Sequence, residues 1–283
     1  MPDIDLTPAL FDEIARLKPS EQRKVMRIIG EQEFDRCADD LLYWLDESKH
    51  IVPYVYTQDQ KPLYECTICR DAGVESTSYF HKLDDHLKIR HGIEQANPQD
   101  RRGYFKELPT TRPFPMKPYI EPIARTWLTE QFIVIPKSRD MIATWQIVAY
   151  YTWDTLFHTG RQNFFQSENA SKANYLVQRA NFIYKNQPKF LRDMHKATYT
   201  VNNKNGRLYV PSLDSEIIGL PQGPDQIRMH HPTGIFGDEI AFQEKAGETF
   251  SAIKPAIQAG GRYTGISSAN PGWMHLVVED LLD

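Results

Sequence analysis

The sequence beyond residue 130 alternates short apolar runs with helical patterns, and this alternation constrains the fold more than any other feature. Apolar runs predict strands at 132–135, 162–166, 233–237 and 263–267. Further extended segments are predicted at 197–201, 206–211 and 215–220. Apolar residues at helical spacing predict helices at about 142–157, at 170–184 and at about 246–258. Strands that alternate with helices indicate an α/β fold with a mostly parallel central sheet flanked by helices, in which ligands bind at the carboxyl ends of the strands.

The first 50 residues predict a helical N-terminal region, 1–50. Thr7 and Pro8 suit the N-cap and the first turn of a helix, and apolar residues recur at helical spacing from Leu10 to Leu17. A second helical pattern reaches about Asp46. We expect Gly30 to interrupt it, because glycine weakens the interior of a helix.

Two further regions follow the N-terminal helices. Residues 51–107 form short segments that are rich in aromatic residues and contain two of the three cysteines. A proline-rich connector, residues 108–119, then marks a domain boundary. We expect the α/β region to occupy residues 108–283.

Composition and charge exclude several classes of protein. No apolar run approaches the roughly 20 residues needed to cross a bilayer, and the N-terminus lacks the pattern of an export signal. We therefore expect a cytoplasmic protein without a membrane partner. A formal net charge of −4 argues against a generally positive surface, so any contact with nucleic acid should be local. The basic segment Lys185–Arg207 is either such a contact or a solvated face.

The spacing of cysteine and histidine residues predicts a zinc-binding module. Cys66 and Cys69 form a C-x-x-C pair, and His86 and His91 follow sixteen residues later. Two thiolates from a tight hairpin and two imidazoles about one helical turn apart can close a tetrahedron around Zn²⁺. His81 is an alternative ligand. A chance C-x-x-C pair near surface histidines is the other interpretation.

The module is similar to a DNA-reading zinc finger only in part. Phe80 and Leu83 occupy the positions of the core apolar residues, but the gap between cysteines and histidines is longer than usual. The negative charges of Asp84 and Asp85 would repel the phosphates of DNA. Zinc-finger proteins that recognise a DNA sequence also generally use several fingers in tandem. We therefore expect a structural or docking role. The third cysteine, Cys37, is expected to be a buried spectator.

The stretch VIPKSRDMIATW, residues 134–145, has the strand, loop and helix order of a phosphate-binding loop. The usual G-x-x-x-x-G-K-[ST] pattern is kept only at its last position, Thr144. Ile142 and Ala143 occupy the usual glycine and lysine positions, so we expect a stiffer loop and a more apolar pocket.

An acidic pair supplies the partner that a nucleotide site of this kind needs. The apolar strand in TGIFGDEIAF delivers Asp238 and Glu239 side by side at its carboxyl end, as in a Walker B element. The first acid would hold Mg²⁺ and the second would polarise the attacking water. An apolar run followed by two acids also occurs by chance.

A third element stands at the position of the next strand. The run YTGISSANPGW, Tyr263–Trp273, ends a strand in Ser267, Ser268 and Asn270, which could sense the γ-phosphate. The alternative is an ordinary strand followed by an Asn-Pro turn. The three elements together, in this order, favour a nucleotide site.

These elements resemble the N-terminal packaging ATPase domain of the large terminase subunits of tailed bacteriophages and related viruses. The resemblance covers roughly Pro118 to Trp273. It rests on the loop PKSRDMIATW, the helix ASKANYLVQRANFIYKNQPKFLR, the segment EIIGLPQGPDQIRMHHPTGIFGDEIAF and the coupling motif ISSANP. In the third of these, an Ile-x-x-Leu-Pro turn, an arginine and an apolar strand into Asp-Glu form a layout that generic helicases lack. The resemblance implies a P-loop NTPase fold of the ASCE type.

The resemblance also implies roles for individual residues. Large terminases often carry a deviant Walker A motif whose lysine begins the loop, and Lys137 is similarly placed. Lys137 and Arg139 would contact the β- and γ-phosphates, while Thr144 and Asp238 would hold Mg²⁺. Arg228 would be an arginine finger for a neighbouring subunit, or else part of a structural ion pair. The implied ATP-binding residues are Lys137, Ser138, Arg139, Asp140, Met141, Ile142, Ala143 and Thr144.

The function that the resemblance implies is ATP hydrolysis that drives double-stranded DNA into a viral prohead. The implied partners are the portal protein, the prohead and the small terminase subunit, with a homo-oligomeric ring on the portal, in the cytoplasm of the host. A nuclease domain follows the ATPase in this family, and we expect it to lie outside this chain. The alternatives are a zinc-finger nucleic-acid-binding protein with a non-hydrolysing α/β domain, and a helicase-like remodeller.

Overall fold

The structure is a computed structural model. It describes residues 7–46, 54–55, 63–74, 77–79, 82–94, 103–107, 111–112, 114–138, 141–202, 205–228 and 230–280. Contacts divide the chain into two compact units. The first unit combines Met1–Val52 with Phe114–Asp283, and the second is Pro53–Pro113.

The helices and strands are numbered in chain order. The helices are α1 Pro8–Ala15, α2 Pro19–Asp39, α3 Leu41–Leu45, α4 Thr67–Asp71, α5 Leu83–His91, α6 Ile120–Thr129, α7 Ala143–Phe157, α8 Ala170–Asn186, α9 Lys189–Met194, α10 Asp225–Arg228, α11 Ala246–Gln258 and α12 Trp273–Asp280. The strands are β1 Tyr54–Val55, β2 Leu63–Cys66, β3 Thr77–Tyr79, β4 Phe105–Glu107, β5 Thr111–Arg112, β6 Phe132–Pro136, β7 Gln162–Ser167, β8 Thr198–Asn202, β9 Asn205–Val210, β10 Ser215–Pro221, β11 Gly234–Asp238 and β12 Arg262–Ser267.

A seven-stranded sheet forms the centre of the first unit, in the order β6-β12-β11-β7-β10-β9-β8. The first five strands of this order pair in parallel, while β9 and β8 add an antiparallel extension. The predicted mostly parallel α/β class is therefore confirmed. Strand β12 lies between the loop strand β6 and the acidic strand β11.

Helix α7 is the central element of the core because it is buried on nearly every side. Its Tyr151 hydroxyl donates to the carbonyl of Ile235 at 2.9 Å, in β11. Trp127, on α6, packs on Tyr151 and donates to the hydroxyl of Thr264 in β12 at 3.1 Å. Buried aromatic rings of this size contribute much of the stability of a core. Here they hold the middle of α7 against the sheet.

The N-terminal helices belong to the first unit, and one expectation about them is wrong. Gly30 does not interrupt a helix, because α2 runs unbroken through it. A Cβ at this position would lie 3.1 Å from the carbonyl oxygen of Phe190 and 3.3 Å from the sulfur of Met194. The glycine therefore permits α2 to approach α9 closely.

The second unit contains a three-stranded antiparallel sheet in the order β3-β2-β4 and a two-stranded pair of β1 with β5. Helix α5 ends at His91, and the following Gly92 adopts the left-handed conformation typical of a glycine after a helix. Among the residues of this unit that the structure describes, Leu83, Leu87 and Phe105 form a small buried core around Cys66 and Cys69. A core of this size stabilises a unit only weakly by itself.

Among the described helices, none combines the length and the apolar character needed to cross a membrane.

Candidate nucleotide and metal sites

The carboxyl edge of the parallel sheet collects the residues that the sequence singled out. Strand β6 ends next to Lys137, β11 ends at Asp238, and β12 ends at Ser267. Ser267 pairs with Pro136 in the register of the sheet, and its carbonyl accepts the backbone N–H of Lys137 at 2.9 Å. The predicted loop, acidic pair and coupling motif therefore share one edge.

Glu239 is the centre of the hydrogen-bond network at this edge. Its Oε1 accepts the ammonium of Lys137 at 2.6 Å. Its Oε2 accepts three hydrogen bonds at 3.1 Å, from the hydroxyl of Ser267 and from both the backbone N–H and the hydroxyl of Ser268. The carboxylate of Glu239 is thus paired with Lys137, the cation that was predicted to contact phosphate.

Asp238 and Thr144 form a pair of oxygen ligands beside this network. The hydroxyl of Thr144, in the first turn of α7, donates to Oδ1 of Asp238 at 3.0 Å. The side chain of Gln243 donates to the backbone carbonyl of Asp238 at 2.9 Å and fixes the end of β11. Mg²⁺ prefers carboxylate and hydroxyl oxygens and retains several waters. The adjacent hydroxyl and carboxylate fit that preference.

The two neighbouring acids have opposite electrostatic environments. Burial raises the pKa of Asp238 to about 6, although the Arg179 charge opposes this shift. Burial would also raise the pKa of Glu239, but hydrogen bonds from Lys137 and Ser268 outweigh it and hold the pKa below its ordinary value. Glu239 is therefore ionised at neutral pH. In Asp238, by contrast, burial disfavours the charged form.

Because burial disfavours the charged form of Asp238, we expect Asp238→Asn to raise the free energy of unfolding at pH 8, measured in EDTA, above that of the wild type. The pKa of this carboxyl group is higher in the folded protein than in the unfolded chain. The group therefore favours folding below about pH 4, and this contribution is lost as the pH rises through about 6. Two pKa units correspond to an upper limit of about 3 kcal/mol, and we expect about 2 kcal/mol. Denaturant unfolding in EDTA at pH 4 and pH 8 measures the difference, with the exposed Asp12→Asn as control. An Asn variant no more stable than the wild type at pH 8 would refute the assignment.

Two residues of the site adopt left-handed backbone conformations that side chains rarely accept. Glu239 has φ 53°, and Ile142, immediately before α7, has φ 46°. Ile142 therefore takes up the backbone conformation that glycine would favour, despite its branched side chain. The hydroxyl of Tyr119 donates to the carbonyl of Met141 at 3.1 Å and holds the loop beside it. Strain of this kind is common at functional sites.

The remaining predicted site residues either lie outside the described part of the chain or border the network. Arg139 and Asp140 lie outside the described residues, as does the side chain of Arg228, whose backbone ends α10. Asn270 donates to the carbonyl of Ala241 at 3.0 Å, so it secures the turn after Glu239. Ser138, Met141 and Ala143 lie in the loop and the start of α7.

Sequence reasoning missed Arg179 as a candidate for the nucleotide site. This residue lies on α8 and is 8% exposed, and its charge acts on Asp238. A single arginine among the apolar residues Leu176, Ala180 and Ile183 of one helix face was the available signal.

The second unit brings together Cys66, Cys69, His86 and His91. One ligand atom from each lies within 4.8 Å of the others. His91 Nε2 is 3.3 Å from the sulfur of Cys66 and 3.2 Å from that of Cys69, and His86 Nε2 is 3.5 Å from Cys69. Tetrahedral zinc would set such sulfur–nitrogen edges at about 3.6 Å. The cluster could hold a metal ion, and Phe80 and His81 lie outside the described residues.

The basic segment Lys185–Arg207 is only partly available for a ligand. Lys189 forms an ion pair with Asp193, and Arg207 pairs with Glu216 at 2.5 Å. The charge of the segment is therefore smaller than the count of its basic residues indicates.

No protein-family model matches this chain, and no curated protein matches it. Among solved structures, this chain is similar to ATPase domains of phage large terminases. The HK97 bacteriophage large terminase is 14% identical with a TM-score of 0.48, covering 60% of this chain and 37% of that one. A variant of the Thermus phage P74-26 large terminase ATPase domain is 12% identical with a TM-score of 0.45, covering 58% and 69%. The large terminase of another thermophilic bacteriophage, in complex with ADP, is 10% identical with a TM-score of 0.42, covering 54% and 39%.

Proposed function

We propose that this chain is the ATP-hydrolysing motor domain of a viral DNA-packaging terminase. The observation that carries the proposal is the convergence of Lys137, Thr144, Asp238 and Glu239 at one edge of the parallel sheet, around an ion pair of 2.6 Å. The terminase assignment, as opposed to other ATPases, is supported by the sequence from the Ile-x-x-Leu-Pro turn to the acidic pair.

The proposed reaction begins with an exchange of partners at Lys137. The phosphates of ATP take the ammonium of Lys137, and Glu239 is released from it while keeping the hydrogen bonds from Ser267 and Ser268. The freed Oε1 then accepts a proton from the attacking water. Thr144 and Asp238 are the residues that would hold Mg²⁺, which would supply neutralisation of charge on the phosphates.

The coupling motif connects hydrolysis to the rest of the sheet. Ser267 and Ser268 touch Glu239 directly, and Ser267 also accepts the backbone N–H of Ala241 at 3.2 Å. A change in the position of Glu239 would therefore shift the ends of β12 and β11 together. We infer that this pair of serines senses the loss of the γ-phosphate.

The experiment that tests the proposed function is ATP turnover with and without the portal and proheads of the source phage. We expect Mg²⁺-dependent phosphate release that rises when the portal complex and DNA are present. A zinc-finger protein with an inert α/β scaffold would release no phosphate. A helicase-like remodeller would hydrolyse ATP but would not respond to the portal.

We propose Zn²⁺ as the metal of the second unit. The apolar core there is small, and a structural zinc site supplies on the order of 10 kcal/mol of apparent binding energy. We therefore expect chelation to unfold this unit while the sheet unit stays folded, as followed by hydrogen exchange. His86→Ala should lower the zinc content measured by metal analysis, whereas the matched His81→Ala should not. Purified protein without zinc, or loss of zinc from His81→Ala alone, would overturn the ligand set.

We propose double-stranded DNA as the partner of the basic segment Lys185–Arg207. Affinity is expected to be modest and independent of sequence, because the ligand is the phosphate backbone. Contacts to about four phosphates would give a log–log dependence on salt with a slope near −3.6. Fluorescence anisotropy at several salt concentrations measures the slope. A flat response, or strong preference for one sequence, would contradict this interface.

The remaining partners follow from the same proposal. Assembly on the portal would form a homo-oligomeric ring, and Arg228 would then serve as an arginine finger toward a neighbouring nucleotide. The small terminase subunit would be a further partner, in the cytoplasm of an infected host.

A further inference from the structure

Gln243 is a buried residue whose backbone is held on both sides. It follows the short 3-10 helix Ile240–Phe242 and lies just before α11. Its backbone N–H donates to the carbonyl of Ile240 at 3.3 Å, and its carbonyl accepts the N–H of Ala246 at 3.2 Å. The residue is 5% exposed. A side chain in a closely packed site with a fixed backbone has little freedom to change its rotamer.

The side-chain amide of Gln243 controls the peptide that joins the two neighbouring acids. It donates to the backbone carbonyl of Asp238 at 2.9 Å. The residue on the other side of this peptide, Glu239, has φ 53°. Rotating the peptide toward the negative φ that side chains favour would turn the carbonyl of Asp238 away from Gln243. The hydrogen bond therefore requires the left-handed conformation of Glu239.

The backbone conformation of Glu239 determines where its carboxylate lies. The turn that follows is held by the hydroxyl of Ser267, which accepts the N–H of Ala241 at 3.2 Å, and by Asn270, which donates to the carbonyl of Ala241 at 3.0 Å. With the turn held there, the preceding peptide sets the direction of the Glu239 side chain. In the observed orientation, Oε2 accepts both the backbone N–H and the hydroxyl of Ser268 at 3.1 Å.

We propose that Gln243 is a positioning residue that acts through Glu239, because its hydrogen bond to the preceding peptide keeps the Glu239 carboxylate at Ser268. Without this donor, the strain of the left-handed conformation is no longer offset and the peptide rotates. The carboxylate then leaves Ser268, and the attacking water loses the group that would accept its proton. The effect on hydrolysis rests on the proposed function, whereas the position of the carboxylate does not.

The test uses Gln243→Met, which keeps a side chain of similar length and removes the donor. We expect hydrogen exchange of the Ser268 backbone N–H, followed by NMR without nucleotide, to become about tenfold faster, a change of about 1.4 kcal/mol. In ATP turnover, kcat should fall about tenfold or more. Affinity for mant-ADP should equal or exceed that of the wild type, because Lys137 is released when the carboxylate moves.

Gln166→Met is the matched control for loss of a buried glutamine donor. Gln166 lies on β7 and is 2% exposed, and its side-chain amide donates to the backbone carbonyl of Pro221 at 3.1 Å. This variant should lower thermal stability as Gln243→Met does, but leave the exchange of Ser268 and kcat unchanged. If Gln243→Met does not fold, Gln243→Asn replaces it, because its amide is one methylene shorter and does not reach the carbonyl.

The exchange and kinetic measurements distinguish the possible outcomes. Unchanged exchange of the Ser268 N–H in Gln243→Met, or an equal increase in Gln166→Met, would overturn the inference. A fall in mant-ADP affinity alongside kcat would indicate a general disruption of the site and would overturn it as well. If the wild type releases no phosphate, the proposed function fails, while the exchange of Ser268 still decides whether Gln243 positions Glu239.

Discussion

Glu239→Ala should still bind ATP but hydrolyse it at least about 100-fold more slowly, the typical effect of losing a general base. In the structure, Glu239 receives hydrogen bonds from Lys137, Ser267 and Ser268, so its carboxylate is ionised and held in one place. Alanine cannot accept the proton of the attacking water. It also releases Lys137, so that ATP affinity should be equal to or higher than that of the wild type.

The measurement is single-turnover hydrolysis combined with equilibrium nucleotide binding. Glu244→Ala is a suitable control, because Glu244 is an exposed acid a few residues further along the chain. It should behave as the wild type in both assays. An unchanged kcat in Glu239→Ala would remove this residue from the mechanism, whatever the binding result.

Lys137→Gln should weaken ATP binding and abolish hydrolysis. The backbone N–H of Lys137 bonds to Ser267 at the end of β12, which places the side chain at the edge of the sheet. A charged donor to phosphate stabilises binding more than a neutral one, by an amount on the order of 2 kcal/mol. Isothermal titration and phosphate release measure the two effects. Lys172→Gln, which removes an exposed lysine paired with Glu168, is the control.

A lysine restored at the usual position of the motif should not rescue Lys137→Gln. Ala143 is buried in the core at the start of α7. A lysine there would overpack the core. The backbone of Ile142 is not the obstacle, because it already adopts the left-handed conformation of a glycine. Near-normal activity of Lys137→Gln, or full rescue by adding Ala143→Lys, would show that the phosphates bind elsewhere.

The regular elements of the sheet unit could be predicted from sequence because their patterns are long and locally consistent. Helix α11 was expected at about 246–258 and lies at Ala246–Gln258. The antiparallel direction of β9 and the short helices α6 and α9 were not anticipated. Their pairing and packing depend on distant contacts, which apolar periodicity does not encode. The same limit explains the error at Gly30.

The sequence predicted which residues meet at the candidate site, but it did not predict the contacts between them. Parallel strands bring their carboxyl ends to one edge, and this rule alone places Lys137 near Asp238 and Glu239. The ion pair of Lys137 with Glu239 joins residues 102 positions apart, so no local pattern predicts it. The buried position of Arg179 depends on Trp145, 34 positions earlier in the sequence, for the same reason.

The division of the chain affects the order in which it can fold during synthesis. The first unit starts before Val52 and resumes at Phe114, so the second unit is complete before most of the first has been made. The indole N–H of Trp153 donates a hydrogen bond to the carbonyl of Cys37, 116 positions earlier. Helix α2 also packs on α9, which is synthesised later still. At about 5–20 residues per second, synthesis reaches Trp153 about 6 s or more after α2 is complete, so α2 stays without these partners for at least that time. Ribosome-bound chains should therefore acquire protease resistance in residues 53–113 before they do so in the helices that precede them.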